Sequence, residues 1–341
     1  MAAAGPSWRR RGEEGLRTRR LTPILLLLGV AALIAAPLGR TDYVIYVLSS
    51  WLTFSIAAMG LNLTLGYAGQ ISLAQASFMG IGAYTTALMT LAGVPWLIAA
   101  PAGVALCFVV GLALGFPALR VQGHFLAFVT LAFNTLFFLV ARNEEWLTGG
   151  SYGLSNLPRP AFWAFDTARN LPFYYFTLIV FLASAALMWG VVRSPWGRAF
   201  RGLRENPIRA ESLGVDTRRI TLLAFAIGSA YGGLAGALIS PLVQYIEPSS
   251  FAFSQSLRVL LMVVVGGAGL FLGPILGAAV VILLPEFLRF TEGYYLMIYA
   301  AAVIALMVYC PTGLIGVGRR LSDRFSPKRE VRADMKLGAR L

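Results

Sequence analysis

PWLIAAPAGVALCFVVGLALGFPAL, from Pro95 to Leu119, runs for twenty-five residues without a charge. A helix of that length spans more than the ~30 Å of hydrocarbon in a bilayer. Its glycines and unbroken apolar character do not fit a barrel strand, which alternates polar and apolar positions. Comparable runs lie on either side, at Leu21 to Leu38, Tyr43 to Leu65, Ile71 to Leu91 and His124 to Val140. They resume at Pro172 to Val192, Ile220 to Val243, Ser256 to Val265, Pro274 to Leu288 and Tyr294 to Cys310. The reading is an all-α, polytopic transmembrane helical bundle of about ten spans. Two boundaries are blurred, because Gly66 to Gly69 and Gly266 to Gly269 break the helical pattern without adding charge.

The whole composition agrees. Hydrophobic residues make up 58% of the 341 and charged residues only 13%, too little polar surface for a soluble domain of this size. The formal net charge of +13 does not point to nucleic acid, since the cations sit in blocks between apolar runs. Cys107 and Cys310 fall inside such runs with no His or carboxylate spaced to complete a metal site, and read as packing residues. Six arginines precede Leu21 to Leu38, an arrangement that resembles a secretory signal, but the later spans favour an uncleaved first helix.

Orientation follows from the cations, which are retained on the cytoplasmic side. With an even span count, twenty-two of the 28 Lys and Arg fall on one face, in the tails, at Arg120 and between Arg193 and Arg219. Asp and Glu divide eight to seven, so the bias belongs to the cations alone. Both termini are therefore expected to be cytoplasmic. This divides the chain into a basic tail at 1–20, a permease domain at 21–318 and a second basic tail at 319–341. An external loop at 143–171, with turns and a short lateral helix, and a cytoplasmic loop at 193–219 are the two long non-helical stretches. Five spans on each side of the gap, if duplicated, would place the halves in opposite orientations.

The cytoplasmic loop, SPWGRAFRGLRENPIRAESLGVDTRRIT from Ser194 to Thr221, spells two short helices. Asn206 can cap, Pro207 can take the first turn, Gly214 suits the left-handed position that ends a helix, and Asp216 can cap the next span. Phe200, Leu203, Ile208 and Leu213 are read as exposed among the arginines. Such a segment either rests on anionic membrane lipid or docks a soluble partner.

These residues carry a resemblance. Ala210, Glu211, Ser212, Leu213 and Gly214 resemble the Glu-Ala-Ala-like turn and glycine of the coupling loop in ABC-importer permeases. GYAGQISLAQASFMGIGAY (Gly66 to Tyr84), GHFLAFVTLAF (Gly123 to Phe133), GGAGLFLGPILGA (Gly266 to Ala278) and PTGLIG (Pro311 to Gly316) follow in the order and spacing of the branched-chain amino acid permease family, specifically its longer permease type. The pattern covers nearly everything beyond the first forty residues. It departs at Leu270, where a Thr is expected, and at Gln75, where many relatives carry His. The resemblance implies an importer subunit in the bacterial inner membrane that carries branched-chain or related small amino acids. It further implies a second permease subunit, two ATP-binding subunits and a periplasmic substrate-binding protein. Arg204, Pro207, Ile208, Glu211, Leu213 and Gly214 would then form the ATPase-coupling loop. A urea or short-amide importer of the same build is the alternative within this class.

The chain itself is not read as an enzyme and is expected to bind no cofactor. The only lysines, Lys328 and Lys336, follow Pro327 and Met335 rather than a phosphate-cradling glycine, so ATP is expected to be used by the partner subunits. An ion-coupled carrier usually needs an ionisable group at mid-membrane, and Arg258, Glu286 and Arg289 lie nearer helix ends. From other classes, an ion-coupled secondary carrier and a passive channel stay as alternatives. The sole histidine, His124, sits at a cytoplasmic helix start and reads as a helix-end or headgroup contact. Polar side chains in lipid are costly, so Asn62, Gln70, Ser72, Gln75, Asn134 and Gln244 must face neighbouring helices or a pathway. Gly66, Gly69, Gly80 and Gly82 carry the same two readings, close packing or a broken helix lining a cavity. The segment from Asn62 to Tyr84 is the strongest pathway candidate. There a charge-free break beside Gln70, Ser72 and Gln75 offers backbone and amide groups to a zwitterion.

Overall fold

Each apolar run within reach folds as a helix, because in lipid a backbone can satisfy its polar groups only internally. A computed structural model describes residues 29–118, 125–162, 165–167, 169–291 and 294–309, together with Gly313 and Gly316. Both basic tails, residues 21–28 of the first run, Arg120, His124, Cys310 and most of PTGLIG lie outside the described residues.

The helices are α1 (residues 29–35), α2 (Asp42–Leu61), α3 (Gln75–Leu91), α4 (Trp96–Ala118), α5 (Phe125–Asn143), the single turn α6 (Glu145–Thr148) and α7 (Asn170–Arg193). They continue with α8 (Pro195–Glu205), α9 (Pro207–Ser212), α10 (Thr217–Val243), α11 (Phe253–Gly266), α12 (Gly273–Phe287) and α13 (Tyr295–Tyr309). Among the described residues, six stretches are long and apolar enough to cross a membrane: Asp42–Tyr67, Trp96–Phe116, Leu126–Asn143, Asn170–Arg193, Thr217–Val243 and Pro248–Gly266. The protein is thus a multi-pass membrane protein. α3, α12 and α13 are shorter, at 17, 15 and 15 residues. For α3 and α12 the reason is the glycine breaks, which spend 68–74 and 267–272 on non-helical chain.

α10 is the central helix, and its small-residue stripe explains why. A Cβ on Gly228 would crowd Gly60 of α2, one on Gly236 would overlap the Met79 carbonyl of α3, and one on Gly233 would come within 2.6 Å of the Cys107 sulfur of α4. Where hydrophobicity cannot drive helices together, close approach at small residues does. Cys107 donates from its thiol to the Phe78 carbonyl at 3.2 Å and is fully buried, a packing role. Trp96 of α4 donates to the Ala237 carbonyl at 3.0 Å, securing the other end of the same contact.

The chain alternates between two faces. On one lie α8, α9 and both glycine breaks. On the other lie Tyr43 and Glu286, joined at 2.7 Å, and a small cap in which Leu154–Ser155 pairs antiparallel with Tyr245–Ile246. Leu154 stands opposite Ile246 and Ser155 opposite Tyr245, which ties the loop after α6 to the end of α10. Gln244 ends α10 in the left-handed region at φ 60°, and it both donates to and accepts from Leu157 in that cap. Gln244 is thus a loop anchor rather than a mid-membrane group. A second ribbon, Ala161–Phe162 with Phe165–Asp166, folds within the cap, where Arg159 donates to Asn170 at 2.9 Å. Partial burial draws that guanidinium below its ordinary pKa.

α2 and α11 run from the capped face toward the α8 face, and α3 and α12 return from it. The two glycine hairpins therefore point the same way. Their likeness is not that of repeats in opposite orientation, the relation a five-plus-five duplication would create.

Candidate functional site

Two clusters of polar groups lie inside the bundle, and the first surrounds the start of α3. α2 passes into a π-helical turn, Asn62–Tyr67, before the chain leaves helical geometry at 68–74. π turns of this kind recur at functional sites. When α3 begins at Gln75 it is already within the protein, so its first amides must find partners among side chains. Thr130 of α5 accepts from Leu73 N–H at 2.9 Å, and Ser256 of α11 accepts from Ala76 N–H at 3.0 Å. Ser72 accepts from Ala74 N–H at 3.4 Å. Gln75 is buried and donates to the carbonyls of Ala57 at 3.0 Å and Gly228 at 3.4 Å. Gln70 is half-buried, and its backbone amide donates to Thr64 at 2.8 Å.

From this start, Ser77, Gly80 and Tyr84 follow one face of α3 at helical spacing. The Asn134 amide of α5 donates to Ser77 at 2.7 Å, while its carbonyl oxygen is buried with no partner among the described residues. Next along the face, a Cβ on Gly80 would overlap the Phe137 ring of α5. Beyond it the Tyr84 ring meets Phe251 edge-on at 6.1 Å, and the Tyr84 hydroxyl is likewise buried without a partner. Buried polar atoms are nearly always satisfied, so the Asn134 and Tyr84 orphans on this face, like that of Thr86 further along α3, are departures from the usual pattern. Sequence reading singled out Tyr84 and Asn134 but not Ser77, Thr130 and Ser256. Serine and threonine in helices routinely bond to their own preceding turn, as Thr130 also does to Leu126 at 3.0 Å, and so give no signal of their own.

The second cluster sits where the two glycine breaks meet. Asn62 accepts from Gly269 N–H at 2.8 Å and donates to the Leu270 carbonyl at 3.0 Å, closing a bridge across more than two hundred residues of sequence. Gly66 lies against it, and a Cβ there would overlap Asn62 and the Gly269 amide. Gly69 and Gly269 both adopt left-handed conformations, at φ 72° and 83°, which other residues enter at a cost. Arg204 of α8 donates to the Gly66 carbonyl.

α8 and α9 complete the face. Asn206 caps α9 by accepting from Arg209 N–H at 3.0 Å, with Pro207 in its first turn, and Gly214 ends it at φ 83°. Asp216 caps α10 by accepting from Arg219 N–H at 3.0 Å. The four apolar residues read as exposed divide into two pairs. Phe200 and Leu203, three apart on α8, are buried in the bundle, whereas Ile208 and Leu213 are 79% and 83% exposed. The spacing of the first pair was the available signal for an inward face, outweighed by the arginines around it. Glu211 is exposed between the second pair.

A family model described as branched-chain amino acid transport system / permease component matches residues 43–310, which include both clusters and the α8–α9 face. The chain belongs to this permease family. It is 30% identical over 319 residues to the high-affinity branched-chain amino acid transport system permease protein LivM of Escherichia coli K12, covering 86% of this chain and 74% of that one. The high-affinity branched-chain amino acid transport system permease protein LivH from the same organism is 27% identical over 288 residues, covering 77% and 91%. A probable LivM from Methanocaldococcus jannaschii is 26% identical over 225 residues, covering 61% and 64%. No solved structure matches the chain. As a permease component it moves a substrate rather than transforming one, and it is not an enzyme.

Proposed function

We propose that this chain is the transmembrane permease subunit of an ATP-driven importer of branched-chain or related small amino acids in the bacterial inner membrane. It has ten spans, counting α1 to α5, α7 and α10 to α13, with both tails and the α8–α9 face in the cytoplasm. Its partners are a second permease subunit, two ATP-binding subunits, a periplasmic substrate-binding protein and the surrounding lipid. It binds no cofactor, and ATP is used by the partners. The observation that carries this reading is α9 with the turn after it, capped at both ends and presenting Ile208, Glu211 and Leu213 to solvent with no intramolecular use for them among the described residues. Closure of the ATP-binding pair would push this loop, from Pro207 to Gly214, and rock the helices between inward- and outward-open states.

Glu211→Arg and Leu213→Asp test the docking. Both positions are exposed, so the chain's own stability should change by no more than ~0.5 kcal/mol. Co-purification of the ATP-binding subunits should fall by tenfold or more, as expected when a ~2 kcal/mol interface anchor is lost. Unchanged assembly and uptake would remove the loop from the interface. Uptake by vesicles lacking the ATP-binding subunits would sink the importer reading altogether.

The pathway is placed along Ser72, Gln75, Asn134 and Tyr84, with Asn62, Gly66, Gly69 and Gln70 at its α8 end. Removal of a buried hydroxyl that has no partner does not cost stability and can add ~1 kcal/mol. Tyr84→Phe should therefore leave the thermal midpoint level or higher while uptake falls severalfold. A fall in stability and uptake together would show the hydroxyl to be structural.

A further inference from the structure

Two helix ends converge beneath α8. The π turn closes α2 at Tyr67 and α11 ends at Gly266, and a helix end leaves carbonyls without intrahelical partners and a partial negative charge. Asn62 joins the two ends through Gly269 and Leu270. Arg204 reaches into the same junction. Its Nη1 donates to the Gly66 carbonyl, and it makes no ion pair among the described residues. The chain at Gly69 also lies on α8 itself, since a Cβ there would stand 3.3 Å from Arg204 Cγ and 3.4 Å from Arg204 Cα. A Cβ on Gly269 would overlap Arg204 Nη1 and approach the Gly66 carbonyl to 2.7 Å. α8 is held to the bundle by buried Phe200 and Leu203, and one residue, Asn206, separates it from exposed α9.

We propose that Arg204 is a positioning residue that transmits displacement of the α8–α9 face to the paired glycine breaks, and through them to α2, α3 and α11 around the pathway. A cation suits this place because it satisfies an orphan carbonyl at a negative helix end. A guanidinium suits it better than an ammonium because its rigid plane holds Nη1 on the Gly66 carbonyl while lying against Gly269, where an ammonium would be a freely rotating point charge. The glycines leave room for the fork. This role rests on the importer reading, since it requires a partner to move α9.

The test is ATP turnover and uptake measured on the same complex, reconstituted with its second permease, ATP-binding subunits and binding protein. In the R204A complex that assembles, uptake per ATP hydrolysed should fall about tenfold, the scale expected for losing a charge-assisted hydrogen bond. R204K keeps the charge without the fork and should show a smaller fall in the same ratio, which gives a reading in a chain whose electrostatics are intact. G269A, which strains a left-handed position as well as placing a methyl against Nη1, should lower the same ratio at least as far. An unchanged ratio in all three would overturn the proposal. Loss of ATP-binding subunits from R204A would also overturn it, by making Arg204 an interface residue. A wild-type complex with no ATP-dependent uptake would remove the importer reading and the proposal with it, a result distinct from a normal wild type with fully coupled variants.

Discussion

Gly82→Val is expected to abolish the folded bundle, and Gly190→Ala to leave it intact. A Cβ on Gly82 would come within 2.6 Å of the Gly233 Cα and 2.7 Å of the Gly233 carbonyl carbon, both backbone atoms of α10. A flexible side chain can swing away from an added methyl group, whereas a neighbouring helix can yield only by moving as a body. α3 and α10 cannot separate locally, since α10 also meets Cys107 of α4 at Gly233 and Met79 at Gly236. Overpacking of a core costs ~1–3 kcal/mol and more where nothing can relax, so the cost here should reach or exceed the top of that range. Folded protein recovered in detergent should fall at least tenfold. Gly190, on α7, has nothing within 4 Å of an added Cβ, and alanine is the better helix former by ~1 kcal/mol, so its thermal midpoint should hold or rise. Equal recovery of the two variants, measured by size-exclusion profile and thermal melt, would show that α3 and α10 are not locked at this crossing.

The contrast between these glycines also bears on what a sequence can disclose. Features governed by neighbours along the chain were legible: the apolar runs, the Asn206 and Asp216 caps, the Gly214 stop and the breaks after Gly66 and Gly266 all appear where local chemistry places them. Features governed by remote partners were not. Gly82 and Gly190 look alike in sequence because the difference lies entirely in what faces them. Gln75 and Asn134 could be recognised as polar groups needing partners, but not that Gln75 finds two carbonyls while Asn134 is left with an unmatched oxygen. Arg204 was legible as one cation among several in a cytoplasmic loop, whereas its bond to Gly66 spans 138 residues and depends on the break being there to receive it.

Asn62→Leu should separate the two glycine breaks and is expected to be the most damaging single change that alters no packing glycine. The amide side chain is 3% exposed and does two things at once, accepting from Gly269 N–H and donating to the Leu270 carbonyl. Leucine keeps the branched skeleton, but its methyls are larger than the amide's oxygen and nitrogen and cannot approach backbone atoms to 2.8–3.0 Å, so crowding adds to the loss of the hydrogen bonds. Two buried backbone groups would be left unpaired, each at ~1–3 kcal/mol, giving a total of roughly 2–6 kcal/mol. Asn62→Asp provides the internal comparison. A carboxylate can still accept from Gly269 N–H but would turn a second acceptor toward the Leu270 carbonyl, so one bond is kept and the other becomes a repulsion. When protonated, the same side chain can donate to Leu270. The aspartate variant should therefore be destabilised at neutral pH and regain stability as the pH falls and the carboxyl takes up its proton, while the leucine variant stays destabilised throughout. Thermal melts of purified protein across pH would read this difference directly, and identical pH profiles for the two variants would show that Asn62 does not bridge the breaks.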